Sequence, residues 1–265
     1  MEKEVLIKEI AGHVGILKLN RPDRGNSLTP SLLAELHLVL LRWAENESVR
    51  CVVITGNSEN AFSSGYDISA IPTELSPEAA ELLKTSNPLT LALDSVKNFP
   101  FPVIAMINGY CFGAALNLAV CCDVRIGADH IKAGMPPAKL GLVYHPEGLS
   151  QFIEVAGMAK TREIFFTGRT YQGREVKDMG LVDHLVPAEK LSETVYAMAG
   201  EISENAPLSL KGTKKILNMI GKYSLIGSEY INDAQELIAE AFNSDDLKKG
   251  QAAFIEKRDP VFTGK

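Results

Sequence analysis

The chain has 265 residues, 46% hydrophobic and 23% charged, which fits a folded globular chain of one large domain or a domain with an appendage. A net charge of −6 supplies no broad basic field and argues against nucleic acid as the main partner. The four cysteines, Cys51, Cys111, Cys121 and Cys122, lack C-x-x-C spacing and lie in apolar surroundings, so they read as reduced, buried thiols and not as a metal set or a disulfide frame.

The opening MEKEVLIKEI alternates charged and apolar residues without a signal-peptide core, so a cytoplasmic location is expected. Glu4 to Glu9 and Val14 to Leu19 read as two strands around a Gly12-His13 turn. A polar loop with two arginines follows, Asn20 to Ser27, suited to phosphate or simply to solvent. Thr29 caps a helix with Pro30 at its first position, running to about Asn46 with Leu32, Leu33, Leu36 and Leu40 on its apolar face. His37 lies within it and reads as structural. Arg50 to Thr55 is a buried-type strand, and Ala61 to Ser64 is a second, short one. Gly65 then lets the chain turn sharply, so that the next N–H groups can face a cavity. Ser76-Pro77-Glu78 starts a helix that reaches about Asn98, interrupted near Asn87-Pro88.

The central stretch is VIAMINGYCFGAALNLAVCCD, Val103 to Asp123. It reads as a buried strand, an Asn108-Gly109 turn, a short helix after Gly113, and a further strand at Val124 to Ile126. The first N–H groups of a helix have no internal partner, and the helix dipole adds positive charge there. Small residues at Gly113, Ala114 and Ala115 open that end to a ligand oxygen that gains negative charge. The run without charge is long enough for a membrane span, but the Asn-Gly turn and Asn117 inside it count against one. A buried strand–helix unit that binds nothing is the plainer alternative.

Lys132 to Gly148, rich in Pro and Gly, cannot be one regular element and carries Tyr144, His145 and Glu147 close together. Helical stretches follow at Leu149 to Ala156, Thr161 to Phe166 and Gly173 to Met179, with a short strand at Leu181 to Val186. Beyond Pro187 the pattern is helical: about Ala188 to Asn205, Pro207 to Gly221, Ser228 to Asn243 and Asp245 to Lys257. The expected division is a mixed α/β core over residues 1–187 and a C-terminal helical region, 188–265. Strand, strand, helix recurs as a rhythm without close sequence repeats. No metal-ligand set and no nucleotide-binding glycine fingerprint is present.

Two segments together, AFSSGYDI (61–68) and INGYCFGAALNLAVCCDVRI (107–126), resemble the enoyl-CoA hydratase/isomerase, or crotonase, superfamily. MPPAKLGL (135–142) and AAFIEKRDPVF (252–262) match its later landmarks, so the resemblance covers nearly the whole chain. It implies an α/β fold, a crotonase-like spiral of strand–strand–helix units with a C-terminal helical region, assembled as homotrimers or dimers of trimers. It also implies an acyl-CoA thioester substrate, with coenzyme A as part of that substrate, and no separate cofactor. The two N–H groups that hold the thioester oxygen fall on Tyr66 and Ala114, where Ala replaces the usual Gly. CoA contacts fall on Arg24, Ser64, Tyr66, Asp67 and Ile68, with Phe254 and Lys257 closing over it from a neighbouring subunit.

The family's hydratases carry two catalytic glutamates, and those positions are Asn117 and Pro137 here. Hydration needs one group to activate water and another to protonate carbon, and neither residue does either. Ser64 to Pro72 and Tyr144 resemble the methylmalonyl-CoA decarboxylase branch, although Tyr66 replaces a His of that branch. Decarboxylation of a malonyl-type thioester makes the enolate without a base, and a nearby glutamate would repel the departing carboxylate. In this reading Tyr144 donates a hydrogen bond to that carboxylate, and Asn117 is its neutral neighbour. Alternatives are hydration, isomerisation or thioester hydrolysis through His145, which falls where dienoyl-CoA isomerases carry Asp, with Glu147 as a second candidate. A non-catalytic CoA-ester-binding protein is the third class. Tyr66, Phe62 and Met135 hint at an apolar acyl pocket.

Overall fold

Apolar runs that are continuous, not alternating, mark strands buried on both faces. Strand β3 (Cys51–Gly56) and strand β5 (Val103–Ile107) are of that kind, buried at every position. The computed structural model describes residues 4–45, 48–68, 87–222, 236, 238–240 and 242–261. Strands β1 (Leu6–Ala11), β2 (Val14–Leu19), β3, β5, β7 (Val124–Ala128) and β10 (His184–Val186) form one sheet in the order β1-β2-β3-β5-β7-β10. Only the β1–β2 pair is antiparallel in this sheet. β1 is its charged, largely exposed edge, with Lys18 bonded to Glu9 at 2.8 Å.

A second sheet, β4 (Ala61–Ser63), β6 (Tyr110–Phe112), β8 (Lys132–Gly134) and β9 (Tyr171–Gln172), carries the chain segments that lead into the site. Its first three strands are parallel. The chain therefore runs from a strand of the first sheet to a strand of the second and then into a helix, as the sequence rhythm predicts. The run from Val103 to Val120 divides into β5, β6 and helix α3 (Ala114–Val120), in line with the readings against a membrane span. Among the described residues no helix is long and apolar enough to cross a membrane.

Helix α1 (Pro30–Glu45) starts at Thr29, whose Oγ1 accepts from Leu32 N at 3.3 Å. It packs on helix α2 (Pro88–Lys97), which Asn87 caps. His37 is structural, its Nδ1 2.5 Å from Ser95 Oγ on α2. The predicted start of this second helix at Ser76 lies outside the described residues, as does most of the predicted helix from Ser228.

Some elements differ from the sequence reading. β6 is a strand where a turn leading directly into a helix is expected; Asn108 Nδ2 donates to Gly56 O and Ser58 O and pins the turn before it. The stretches Leu149 to Ala156 and Thr161 to Phe166 are two helical segments, as the sequence indicates, within the span labelled α4 (Pro146–Thr167); Gly157, at φ 76° and ψ 161°, is non-helical and kinks the chain between them. Short helix α5 (Arg174–Asp178) follows β9. Helix α6 (Leu191–Glu204) lies across β2, β3, β5 and β7. Helix α7 (Pro207–Lys222) is tied back by buried Lys214, whose Nζ donates to Phe101 O at 3.0 Å and Asp123 Oδ2 at 2.6 Å. Helix α8 (Asp245–Glu256) seats on a 3₁₀ turn at Pro137–Leu140, where Gly250 lies so close that a Cβ would come within 2.6 Å of Leu140 O.

Candidate active site

Parallel pairing of β4 with β6 brings their C-terminal ends side by side, Ser63 opposite Cys111. Two glycines continue them. Gly65 adopts φ +97°, and a Cβ there would lie 2.6 Å from Phe112 O and 3.6 Å from Ala114 N. No L side chain fits that approach, so glycine is what brings the chain at residue 66 against the start of α3. Gly113, at φ 54°, turns the chain into α3, and its own N–H donates to Gly134 O at 2.9 Å.

Leu28 flanks the other side. Leu28 N donates to Gly65 O at 2.8 Å and Asp67 N donates to Leu28 O at 2.9 Å. Alternation along an extended chain then directs the Tyr66 N–H away from residue 28. The Ala114 N–H is the first of its helix and has no intrahelical acceptor. The two groups singled out in the sequence are thus neighbours. The loop holding Leu28 is itself braced: Arg21 Nη1 donates to Ser27 O, Ser27 Oγ and Asp67 Oδ2, the last at 3.1 Å. Asn26, fully buried in a left-handed conformation, donates to Ala61 O at 3.0 Å.

One turn along α3, Asn117 is 0% exposed. Its Oδ1 accepts from the Tyr144 hydroxyl at 2.7 Å. Its Nδ2 donates to Gln151 Oε1 at 2.6 Å and faces Cys121 Sγ at 3.7 Å. Burial pushes the Tyr144 phenol far above its ordinary range, so it stays protonated. Its single proton is directed at Asn117, and donation to a substrate requires it to leave that acceptor. The Tyr144 ring packs at a tilt against His145 and Phe165, with centroids 4.6 and 5.4 Å away.

His145 caps α4: Nδ1 accepts from Gly148 N at 3.1 Å. Glu147 Oε2 lies 3.4 Å from the same nitrogen. Nδ1 cannot accept from one and donate to the other, and the cap from Gly148 N is the shorter contact. His145 Nε2 is buried and has no hydrogen-bond partner among the described residues.

The remaining predicted residues divide. Ser64 N donates to Gly25 O at 2.9 Å beside exposed Arg24, so those two are brought together; Ile68 is half-buried nearby in sequence. Asp67 turns its carboxylate to Arg21. Phe254 is 61% exposed on α8, and Lys257 ends that helix in the left-handed region. Phe62 and Met135 are fully buried in the core. Sequence reasoning missed Gln151 and Gly148, and Arg21, one of the two loop arginines read as suited to phosphate or solvent, is engaged by Ser27 and Asp67. Gln151 stands three residues after Gly148, an amide among Leu149 and Phe152, and that polar interruption of an apolar run was its signal. Among the described residues no group of three His, Cys, Asp or Glu is placed to hold a metal.

The sequence pattern of the enoyl-CoA hydratase/isomerase family matches residues 9–265. A probable mitochondrial enoyl-CoA hydratase of Dictyostelium discoideum is 32% identical over 257 residues, 97% of this chain and 90% of that protein. The methylmalonyl-CoA decarboxylase of Escherichia coli K12 is 27% identical over 252 residues, 95% of each chain. A solved structure of methylmalonyl-CoA decarboxylase in complex with 2-nitronate-propionyl-CoA superposes with a TM-score of 0.91 at 26% identity, covering 99% of both chains. With the paired N–H groups at the ends of β4 and β6 and a crotonase spiral to carry them, this chain belongs to the enoyl-CoA hydratase/isomerase family.

Proposed function

We propose that this protein removes CO2 from a malonyl-type acyl-CoA thioester. The observation that carries the reading is the buried amide of Asn117, closed between Tyr144 and Gln151 where the family's hydratases carry a carboxylate. Pro137, at the other glutamate position, is buried in the 3₁₀ turn under α8 and offers no proton chemistry.

The thioester carbonyl oxygen accepts from the N–H groups of Tyr66 and Ala114. The bond between Cα and the carboxylate carbon breaks, its electron pair passes into the enolate, and neutral CO2 leaves. The two N–H donors stabilise the charge gathering on oxygen, a contribution of about 10²–10³ in rate per donor. The enolate carbon then takes a proton from water, giving the shortened acyl-CoA. The thioester itself is the electron sink, so coenzyme A serves as carrier and no separate cofactor enters.

Arg24, Ser64, Asp67 and Ile68 border the CoA in this reading. Phe254 and Lys257 close over it from a neighbouring protomer of a trimer or a dimer of trimers. Exposed Leu208, Ile216, Leu217, Ile220 and Ile255, from 59% to 84% accessible on α7 and α8, support burial of that face in an assembly. A second reading, hydration, isomerisation or thioester hydrolysis, is favoured by the unpartnered Nε2 of His145 beside Tyr144.

Mass spectrometry of the protein incubated with methylmalonyl-, ethylmalonyl-, crotonyl- and dienoyl-CoA separates these. Loss of CO2 from a malonyl-type ester is the expected result. Hydration of crotonyl-CoA, or free CoA lost on His145→Ala, selects the second reading. Calorimetric binding without turnover of any ester selects a non-catalytic CoA-ester binder.

A further inference from the structure

We infer that Gln151 is a positioning residue that keeps the Tyr144 proton on Asn117 and so withholds it from the carboxylate of the substrate. This rests on the decarboxylase reading above. The order of donors is continuous: Tyr144 O–H to Asn117 Oδ1 at 2.7 Å, then Asn117 Nδ2–H to Gln151 Oε1 at 2.6 Å. A tyrosine has one proton, so its oxygen presents only lone pairs to any other neighbour. An amide can flip and exchange its donor for its acceptor; the acceptor on Gln151 fixes which end of Asn117 faces Tyr144. Gln151 is itself 6% exposed on α4, and Gly148 one turn before it gives the room: a Cβ there would be 2.9 Å from Asn117 Oδ1 and 2.3 Å from the Tyr144 ring.

The chemistry gives this a purpose. The carboxylate is fully charged in the bound substrate and neutral CO2 in the product, so its charge declines through the transition state. A donor aimed at it stabilises the ground state more than the transition state and slows the step; a neighbour with its proton engaged elsewhere does not. Gln151 touches neither carboxylate nor thioester in this arrangement. It acts through the sense of two hydrogen bonds.

Replacing Gln151 by Met keeps the volume and removes the acceptor. Asn117 is then free to turn its amide, donate to the Tyr144 oxygen and release the phenol proton to the substrate. The expected result with methylmalonyl-CoA is a joint fall: kcat lower by about 10-fold and KM lower by about 3-fold, the pattern of a variant that has relieved ground-state destabilisation. A merely structural role for Gln151 lowers kcat with KM unchanged or raised, and that result, or no change in either constant, overturns the inference.

A second readout does not need turnover. The phenolic C–O stretch of Tyr144, isolated as an infrared difference against Tyr144→Phe, reports whether the hydroxyl donates or accepts. It should shift in Gln151→Met and stay in place in Gln151→Glu, which keeps an acceptor oxygen and covers the case where the Met variant fails to fold. A shift in Gln151→Glu, or none in a folded Gln151→Met, overturns the inference. If the wild-type protein decarboxylates no malonyl ester while the band behaves as expected, the functional reading has failed and the proton assignment stands.

Discussion

Gly148→Ala isolates one contact. Gly148 is the third residue of α4, and its backbone is helical, so alanine suffers no conformational penalty and gains about 1 kcal/mol in helix propensity. Against this, the new methyl carbon would lie 2.3 and 2.8 Å from Cε1 and Cδ1 of Tyr144 and 2.9 Å from Asn117 Oδ1. The ring is not free to step aside, since His145 and Phe165 pack against it. Overpacking of this kind costs about 1–3 kcal/mol. If Tyr144 is displaced, Asn117 Oδ1 loses its donor while 0% exposed, a further cost of about 1–3 kcal/mol. The net loss is about 3 kcal/mol, which at roughly 2–4 °C per kcal/mol for a chain of this size lowers Tm by about 6–12 °C. Scanning calorimetry of the two proteins at equal concentration reads it. A Tm within about 2 °C of wild type, with normal turnover, would refute the account of how Tyr144 is held.

Ala114→Pro removes the second oxyanion donor while leaving the helix intact, because proline suits the first position of a helix and Gly113 already has the non-helical ψ of −126°. Stopped assays should show kcat lower by about 10²–10³ with unchanged circular dichroism; near-normal kcat would remove Ala114 from the mechanism. Lys214→Ala leaves Asp123 with Val103 N as a partner at 2.7 Å but without its cation. Asp123 is 30% exposed, so the loss falls at or below the 3–5 kcal/mol typical of a broken buried pair, about 2–4 kcal/mol by thermal unfolding. An unchanged Tm would show that α7 is held by other contacts. Burial pushes the thiols of Cys51 and Cys122 up to about 12, so neither should react with iodoacetamide at about pH 8 until the protein unfolds. Mass spectrometry of the alkylated peptides detects any native labelling.

Strands β3 and β5 were legible because they are continuous apolar runs, and α1 because its cap, its Pro30 and its leucine spacing agree. β6 and β9 were not. Strands of three and two residues have no period to detect, and only their neighbours β4 and β8 make them strands. The break between the stretches Leu149 to Ala156 and Thr161 to Phe166 was legible, and non-helical Gly157 is where it falls. At the site, glycines before Tyr66 and Ala114 announced sharp turns, and the resemblance supplied the pairing of their N–H groups. The direction of the Tyr144 proton was out of reach, since it depends on Gln151, which lies 34 residues from Asn117.

The brace between Leu28 and Tyr66 bears on how the site comes into being. It joins residues 38 positions apart; Gly65 meets Phe112 and Ala114, and Asn117 meets Tyr144 and Gln151. These contacts around the site are of high sequence separation, formed late and at the cost of closing long loops. A partly folded chain therefore has no rudimentary version of it. Ligand binding should protect the protein only against global unfolding, and activity should vanish together with the fold and not ahead of it.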